Sequence, residues 1–195
     1  MRDKDIIVNR FRRTLLALCC VAAACRTTTT QTHFLHKNAD LGAIGKVAVL
    51  PFANLSNERA AGDKVQQIFY LELLSLNVFD VAEPGQVNKT LRGATAAVDS
   101  LGPADYQKLG KDLGVDGVFV GTVVDFADAR TGSTPQPEVT IQLRLIETST
   151  GATLWSTGQT RSGVGISTRL FGVGGESLTQ AARRVVRGEL ATLLK

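Results

Sequence analysis

At 195 residues the chain has room for one globular domain and a leader, and its 44% hydrophobic and 21% charged residues are an ordinary globular balance. The net charge of +4 sits at the start: residues 1–13 hold five basic and two acidic side chains, while residues 25–195 hold 17 basic and 16 acidic. A chain that is nearly neutral beyond its leader carries no electrostatic footprint for nucleic acid, so that class of partner is excluded.

Cys19, Cys20 and Cys25 are the three cysteines, and all fall within seven residues. A disulfide framework or a structural metal needs ligands spread through the folded region, so neither applies. The cysteines close a leader instead. Arg10, Arg12 and Arg13 form a basic n-region, and Leu15 to Ala24 form an apolar run too short to span a bilayer. Ala22-Ala23-Ala24-Cys25 then resembles the bacterial lipoprotein cleavage box, with Ala22 where that family usually carries Leu. The resemblance implies a signal peptide over residues 1–24 and lipidation of Cys25. A plain secretory cut after Ala24 is the alternative, because the same alanines satisfy the A-x-A rule. By the sorting pattern of enteric lipoproteins, Arg26 after the cysteine implies the outer membrane, on its periplasmic face.

Residues 25–45 contain Thr27 to Thr30, Gln31 and Thr32 with no apolar period, and are expected to be a flexible tether. His33 and His36 lie in it. Their spacing could suit a metal, but without further ligands solvated histidines are the simpler reading.

The domain is expected over residues 46–195. Val47 to Phe52 reads as a strand covered on both faces. A helix follows to Leu76, with Val65, Ile68, Phe69, Leu73 and Leu76 at helical spacing. Val78 to Ala82 is a short strand. Pro84 and Pro103 each open a helix, the second ended by Gly114. Gly117 to Phe126 is a second strongly apolar strand, and Arg130 to Pro137 reads as a loop. Val139, Ile141, Leu143 and Leu145 alternate with polar residues, as in a strand with one buried face. Ser149-Thr150-Gly151 turns the chain, and Thr153 to Arg161 returns as the hairpin partner. Gly163 to Gly175 is glycine-rich, and Ser177 with Gln180 caps a final helix to Leu194. The order β-α-β-α-α-β-β-β-α predicts an α/β fold with a single mixed β-sheet flanked by helices.

Val47-Ala48-Val49-Leu50-Pro51-Phe52, Gly114-Val115-Asp116-Gly117 leading into Val118 to Val123, the strand ending Leu143-Arg144-Leu145-Ile146, and Thr150 to Trp155 occur in that order. Together they resemble the periplasmic domain of curli-export (CsgG-like) lipoproteins, whose relatives include the Pel polysaccharide component PelC and the penicillin-binding-protein activator LpoB. The resemblance covers residues 46–195. It implies an anchored domain without enzymatic activity that forms homo-oligomers or binds an envelope partner. The curli channel inserts two long membrane hairpins. The corresponding places here hold only Arg130–Pro137 and Gly163–Gly175, too brief for paired membrane strands of ~9–11 residues each. A self-made pore is not expected.

No chemistry-bearing set emerges, and no cofactor is expected. Gly172-Val173-Gly174-Gly175 lacks the Lys-Ser/Thr pair of a phosphate loop and is followed by Glu176. Asp125 and Asp128 could be paired carboxylates, but they sit where a strand meets a polar stretch, which favours solvated acids. Trp155 is the single tryptophan; core packing is its default role, and contact with a partner or membrane is the sharper one. Leu170 and Phe171, flanked by glycine-rich sequence, are candidates for contact with a neighbouring subunit or the membrane. The sequence therefore points to an outer-membrane lipoprotein serving as accessory or scaffold in envelope assembly or export, with a ring as one form. An activator of a peptidoglycan synthase is the alternative, and a periplasmic hydrolase is the third and weakest reading.

Overall fold

The computed structural model describes residues 29–93, 98–131, 134–162 and 176–194. The first strand of the domain lies where a tether was expected. Thr29–Leu35 (β1) pairs antiparallel with a strand near the far end of the chain, Thr29 opposite Arg161 and Leu35 opposite Trp155. A polar segment adds to a sheet edge through its main chain, so it needs no apolar face of its own. The part of the expected tether up to Thr28 lies outside the described residues.

Lys46–Val49 (β2) follows, with Val47 and Val49 turned to one side of the sheet and Ala48 and Leu50 to the other. Pro51 interrupts it, having no N–H to donate. Pairing resumes at Ala53–Asn54 (β3), so β2 and β3 run along the same neighbour as one broken strand. The Asn54 side chain organises the next loop: its Oδ1 accepts from the Ser56 N–H at 3.0 Å and its Nδ2 donates to the Glu58 carbonyl at 2.8 Å. Ala61–Leu76 (α1) then runs to Asn77, which takes the left-handed conformation at φ 53°.

Asp80–Val81 (β4) is a two-residue edge strand, shorter than the expected Val78–Ala82. Pro84–Arg92 (α2) and Pro103–Leu113 (α3) both start on proline, as expected. Gly114 ends α3 at φ 62°. Asp116 then ties two strand starts together, its Oδ2 accepting from the Gly45 and Lys46 N–H groups at 3.0 and 2.8 Å.

Gly117–Thr131 (β5) and Thr134–Glu147 (β6) form a long hairpin, paired out to Thr131 opposite Thr134. The expected loop over Arg130–Pro137 is thus mostly strand. Pro137 and Pro135 lie within it, opposite Asp128 and Arg130 of β5. Thr153–Ser162 (β7) closes the meander, and Leu178–Leu193 (α4) packs back over it. The Ser177 and Gln180 capping box forms as expected, with both bonds at 3.2 Å. Among the described residues, four α-helices thus flank one mixed sheet of seven strands, ordered β1-β7-β6-β5-β2-β4 with β3 beside β5.

Two cores lie on the two faces. Under α1 and α4, Phe69, Phe119, Leu73, Leu143, Leu145 and Trp155 interlock. Under α2 and α3, Ala48, Leu50, Val118, Val120 and Ile146 do the same with Val87 and Leu109. Phe119 joins the first core's rings, with centroids 5.1 Å from Phe69, 5.9 Å from Phe79 and 6.3 Å from Trp155, all edge-to-face. Glu72 on α1 receives Arg187 at 2.7 Å and Arg183 at 3.3 Å, which pins α1 to α4.

Close packing at β5 is directly testable. A Cβ at Gly121 would lie 2.5 Å from the Phe52 ring, whereas one at Gly158 would have 3.6 Å to its nearest neighbour. Gly121→Ala should lower stability by about 1–3 kcal/mol, and Gly158→Ala should leave the denaturation midpoint unchanged in urea titrations of the full chain.

Candidate functional site

The helices cover the sheet unevenly, and the uncovered part is the candidate site. α2 and α3 shield β2 and β5 on one face, but their core reaches no further than Ile146 on β6. Across the rest of β6, β7 and β1 no described helix packs on that face. Register fixes what lies there: Thr140, Gln142 and Arg144 on β6 stand beside Thr160, Gly158 and Ser156 on β7, and these beside Thr30, Thr32 and Phe34 on β1. The Thr140 and Thr160 hydroxyls are 3.2 Å apart. A cleft of about 400 Å³ runs over Thr122, Gln142, Arg144, Ser156 and Gly158. Arg144 stands where α3's cover ends: burial pushes the Tyr106 phenol on α3 up, and the nearby Arg144 guanidinium partly opposes that. The surface is polar, with one cation and the half-exposed ring of Phe34 at its rim.

A second exposed region lies at the other end of the sheet. Leu71, Leu74 and Val78 are exposed at the end of α1. Beside them a groove of about 450 Å³ between α1 and α2 is lined by Val49, Tyr70, Leu71, Ala82 and Pro84, with Asp63 at its side. His33 and Ser156 both border the first cleft, but His33 stands opposite Thr157 and Phe34 opposite Ser156, so alternation puts the two on opposite faces of the sheet. Asp125 and Asp128 are both exposed, and their odd separation along β5 puts them on opposite faces, so they are not a carboxylate pair.

Trp155 is fully buried, and its indole N–H donates to Thr192 Oγ1 at 3.1 Å on α4. The contact role considered for it is corrected: it is a core residue, because the face it shares with Thr157 and Gln159 is the one that α4 covers. Leu170, Phe171 and the Gly172–Gly175 run lie outside the described residues, as does Cys25. The acid after that glycine run is engaged by protein cations: Glu176 Oε2 accepts from Arg161 Nε and Nη2, both at 3.1 Å, and its Oε1 is 3.3 Å from Arg184 Nε. His36 Nδ1 accepts from the Asn38 N–H at 3.2 Å, a local turn bond.

One buried group escaped sequence reasoning. Glu189 on α4 is wholly buried, and neither of its carboxyl oxygens meets a donor in hydrogen-bonding geometry. Burial pushes its carboxyl well above the usual range, only partly opposed by the Gln159 main chain. Gln159, whose Oε1 is also unpartnered, packs over Gly188. The available signal was an acid at the inward helical phase of Ala182, Val185 and Val186.

No family model matches the chain, and no curated protein matches it. Among solved structures the chain is similar to a PelC dodecamer from Paraburkholderia phytofirmans, with 21% identity and a TM-score of 0.59, covering 85% of this chain and 97% of that one. It is also similar to a lipoprotein from Neisseria meningitidis, with 20% identity and a TM-score of 0.54, over 76% of this chain and 99% of that one. At these identities the likeness establishes a shared α/β fold. Among the described residues, no helix is long and apolar enough to cross a membrane.

Glu189 makes stability fall with rising pH. Its carboxyl is ordinary in the unfolded chain and raised in the folded one, so the folded state binds the extra proton between the two values. Stability from this group is fully present below the unfolded value near 4.5 and is lost as pH climbs through the raised folded value. Urea midpoints should therefore drop from pH 5 to pH 8, and Glu189→Gln should flatten that drop and raise the midpoint at pH 8.

Proposed function

We propose that this chain is a lipoprotein of the bacterial envelope, anchored through Cys25 to the periplasmic face of the outer membrane. In this reading it works without catalysis, as a multi-copy accessory or scaffold for envelope assembly or export. The observation that carries the reading is the position of β1. Among the described residues β1 begins at Thr29, so at most residues 26–28 separate it from Cys25. Three spacer residues reach at most about 11 Å at ~3.3–3.6 Å each. A lipid on Cys25 would hold the sheet against the membrane surface.

That geometry suits a scaffold acting at the membrane. It suits less well the alternative, a module that must reach a peptidoglycan synthase through the cell wall, which would need a longer tether. Two supports are independent of the spacer. The fold likeness is to a protein crystallised as a dodecamer and to a lipoprotein. The two clefts described above are open and bordered by exposed side chains, which suits a protein that acts through contacts.

Two measurements test the reading. The full chain expressed in a bacterium should incorporate labelled palmitate and fractionate with outer membranes, and Cys25→Ser should abolish the label and release the protein from them. Detergent-extracted native chain should show a mass of several copies by light scattering. A wild-type chain already soluble in the periplasm, or one that is monomeric at micromolar concentration, would overturn the proposal.

A further inference from the structure

The outer edge of β1 is a long strand edge that no other strand takes up among the described residues. At the opposite end of the sheet, β4 offers only two residues. β1 runs seven residues with no Lys, Arg, Asp, Glu or Pro and no register shift. Natural sheets blunt a free edge with those very devices, so an edge without them is a template for another strand. One bond sets the direction of its free groups: the His36 N–H donates to the Leu154 carbonyl at 2.8 Å. Alternation then turns the main-chain groups of Thr30, Thr32 and Phe34 toward β7, and those of Thr29, Gln31, His33 and Leu35 outward.

We propose that this edge pairs antiparallel with the same edge of a second copy, about a two-fold axis through Thr32. In that register Thr29 meets Leu35 and Gln31 meets His33, and each pair exchanges outward N–H and C=O groups. Thr32 then faces Thr32 as a non-hydrogen-bonded pair, with about 4.5 Å between Cα atoms. The faces match as well. The odd residues lie on the α4 side, where the Gln31 side chain donates to the Gly188 carbonyl at 3.1 Å. The even residues continue the open face. Phe34 and Leu35 are 51% and 48% exposed, and Phe34 would gain the second copy's Thr30 opposite it. The electrostatics favour a copy as occupant, because a strand without Lys, Arg, Asp or Glu meets itself with no like charges opposed. The pairing deepens the multi-copy reading by naming one contact. Such an isologous contact closes at two copies, so a larger assembly would use a second surface.

The test uses the full chain in membranes of an expressing bacterium. Thr32→Cys should give a reductant-reversible dimer on mild oxidation, several-fold above both the wild-type chain and a Ser75→Cys control on α1. Thr32→Lys keeps the bonds to β7 but sets two cations face to face, and should halve the mass of the extracted assembly. Absence of the Thr32→Cys dimer above both controls, or a Thr32→Lys assembly of unchanged mass, would sink the β1 contact. An unchanged multi-copy mass would leave the scaffold reading standing, whereas a monomeric wild-type chain would sink both.

Discussion

β5 has to be covered on both faces, and the rest of the fold follows from meeting that demand. Val118 and Val120 project to one side while Phe119 and Val123 project to the other, so a single helical layer cannot bury it. Phe119 is the meeting point on the larger side. Its ring touches aromatics from α1, from the segment before β4 and from β7. Those contacts fix the distance between the N-terminal parallel strands and the C-terminal meander. On the smaller side α2 and α3 supply the second layer, beginning on prolines and ending, for α3, on a glycine whose left-handed conformation turns the chain into β5.

Coverage stops where the meander turns away from those two helices. Beyond β5, among the described residues, the sheet keeps α4 on one face only, and the strands alternate accordingly: Val139, Ile141, Leu143 and Leu145 inward, with Thr140, Gln142 and Arg144 outward. The open face is therefore a product of topology. It leaves a broad polar surface, rimmed by a half-exposed aromatic, on a framework that is rigid underneath. Glu189 and Gln159 place unpartnered polar oxygens in the interior beneath that framework.

Elements with a strong apolar period were legible from residues alone. α1, β2, β5, β6 and α4 follow their buried side chains closely, and the capping and proline signals located helix starts within a residue or two. β1 was hidden because its side chains are largely exposed, so no alternation marks it. Its signal was the density of threonine from Thr27 to Thr32, a β-branched composition that reads equally as a polar tether. Pro135 and Pro137 concealed the outer part of the β5–β6 hairpin, since a proline reads first as a loop signal. Trp155 was ambiguous for a similar reason: a strand shows which side chains share a face, but not which face a helix far down the chain will cover.

The pairing of β1 with β7 has a consequence for the order in which the molecule assembles. Thr29 finds its partner at Arg161, and Leu35 at Trp155, so the first strand made waits for the last hairpin. Contacts of such long sequence separation form late, after the loop-closure entropy of everything between has been offset by local structure. During emergence from an N-terminal-first process, β1 is therefore a free extended segment while β2 through β6 are acquiring their neighbours. By contact separation the sheet is expected to complete from its middle outward, with β1 the last strand to lock.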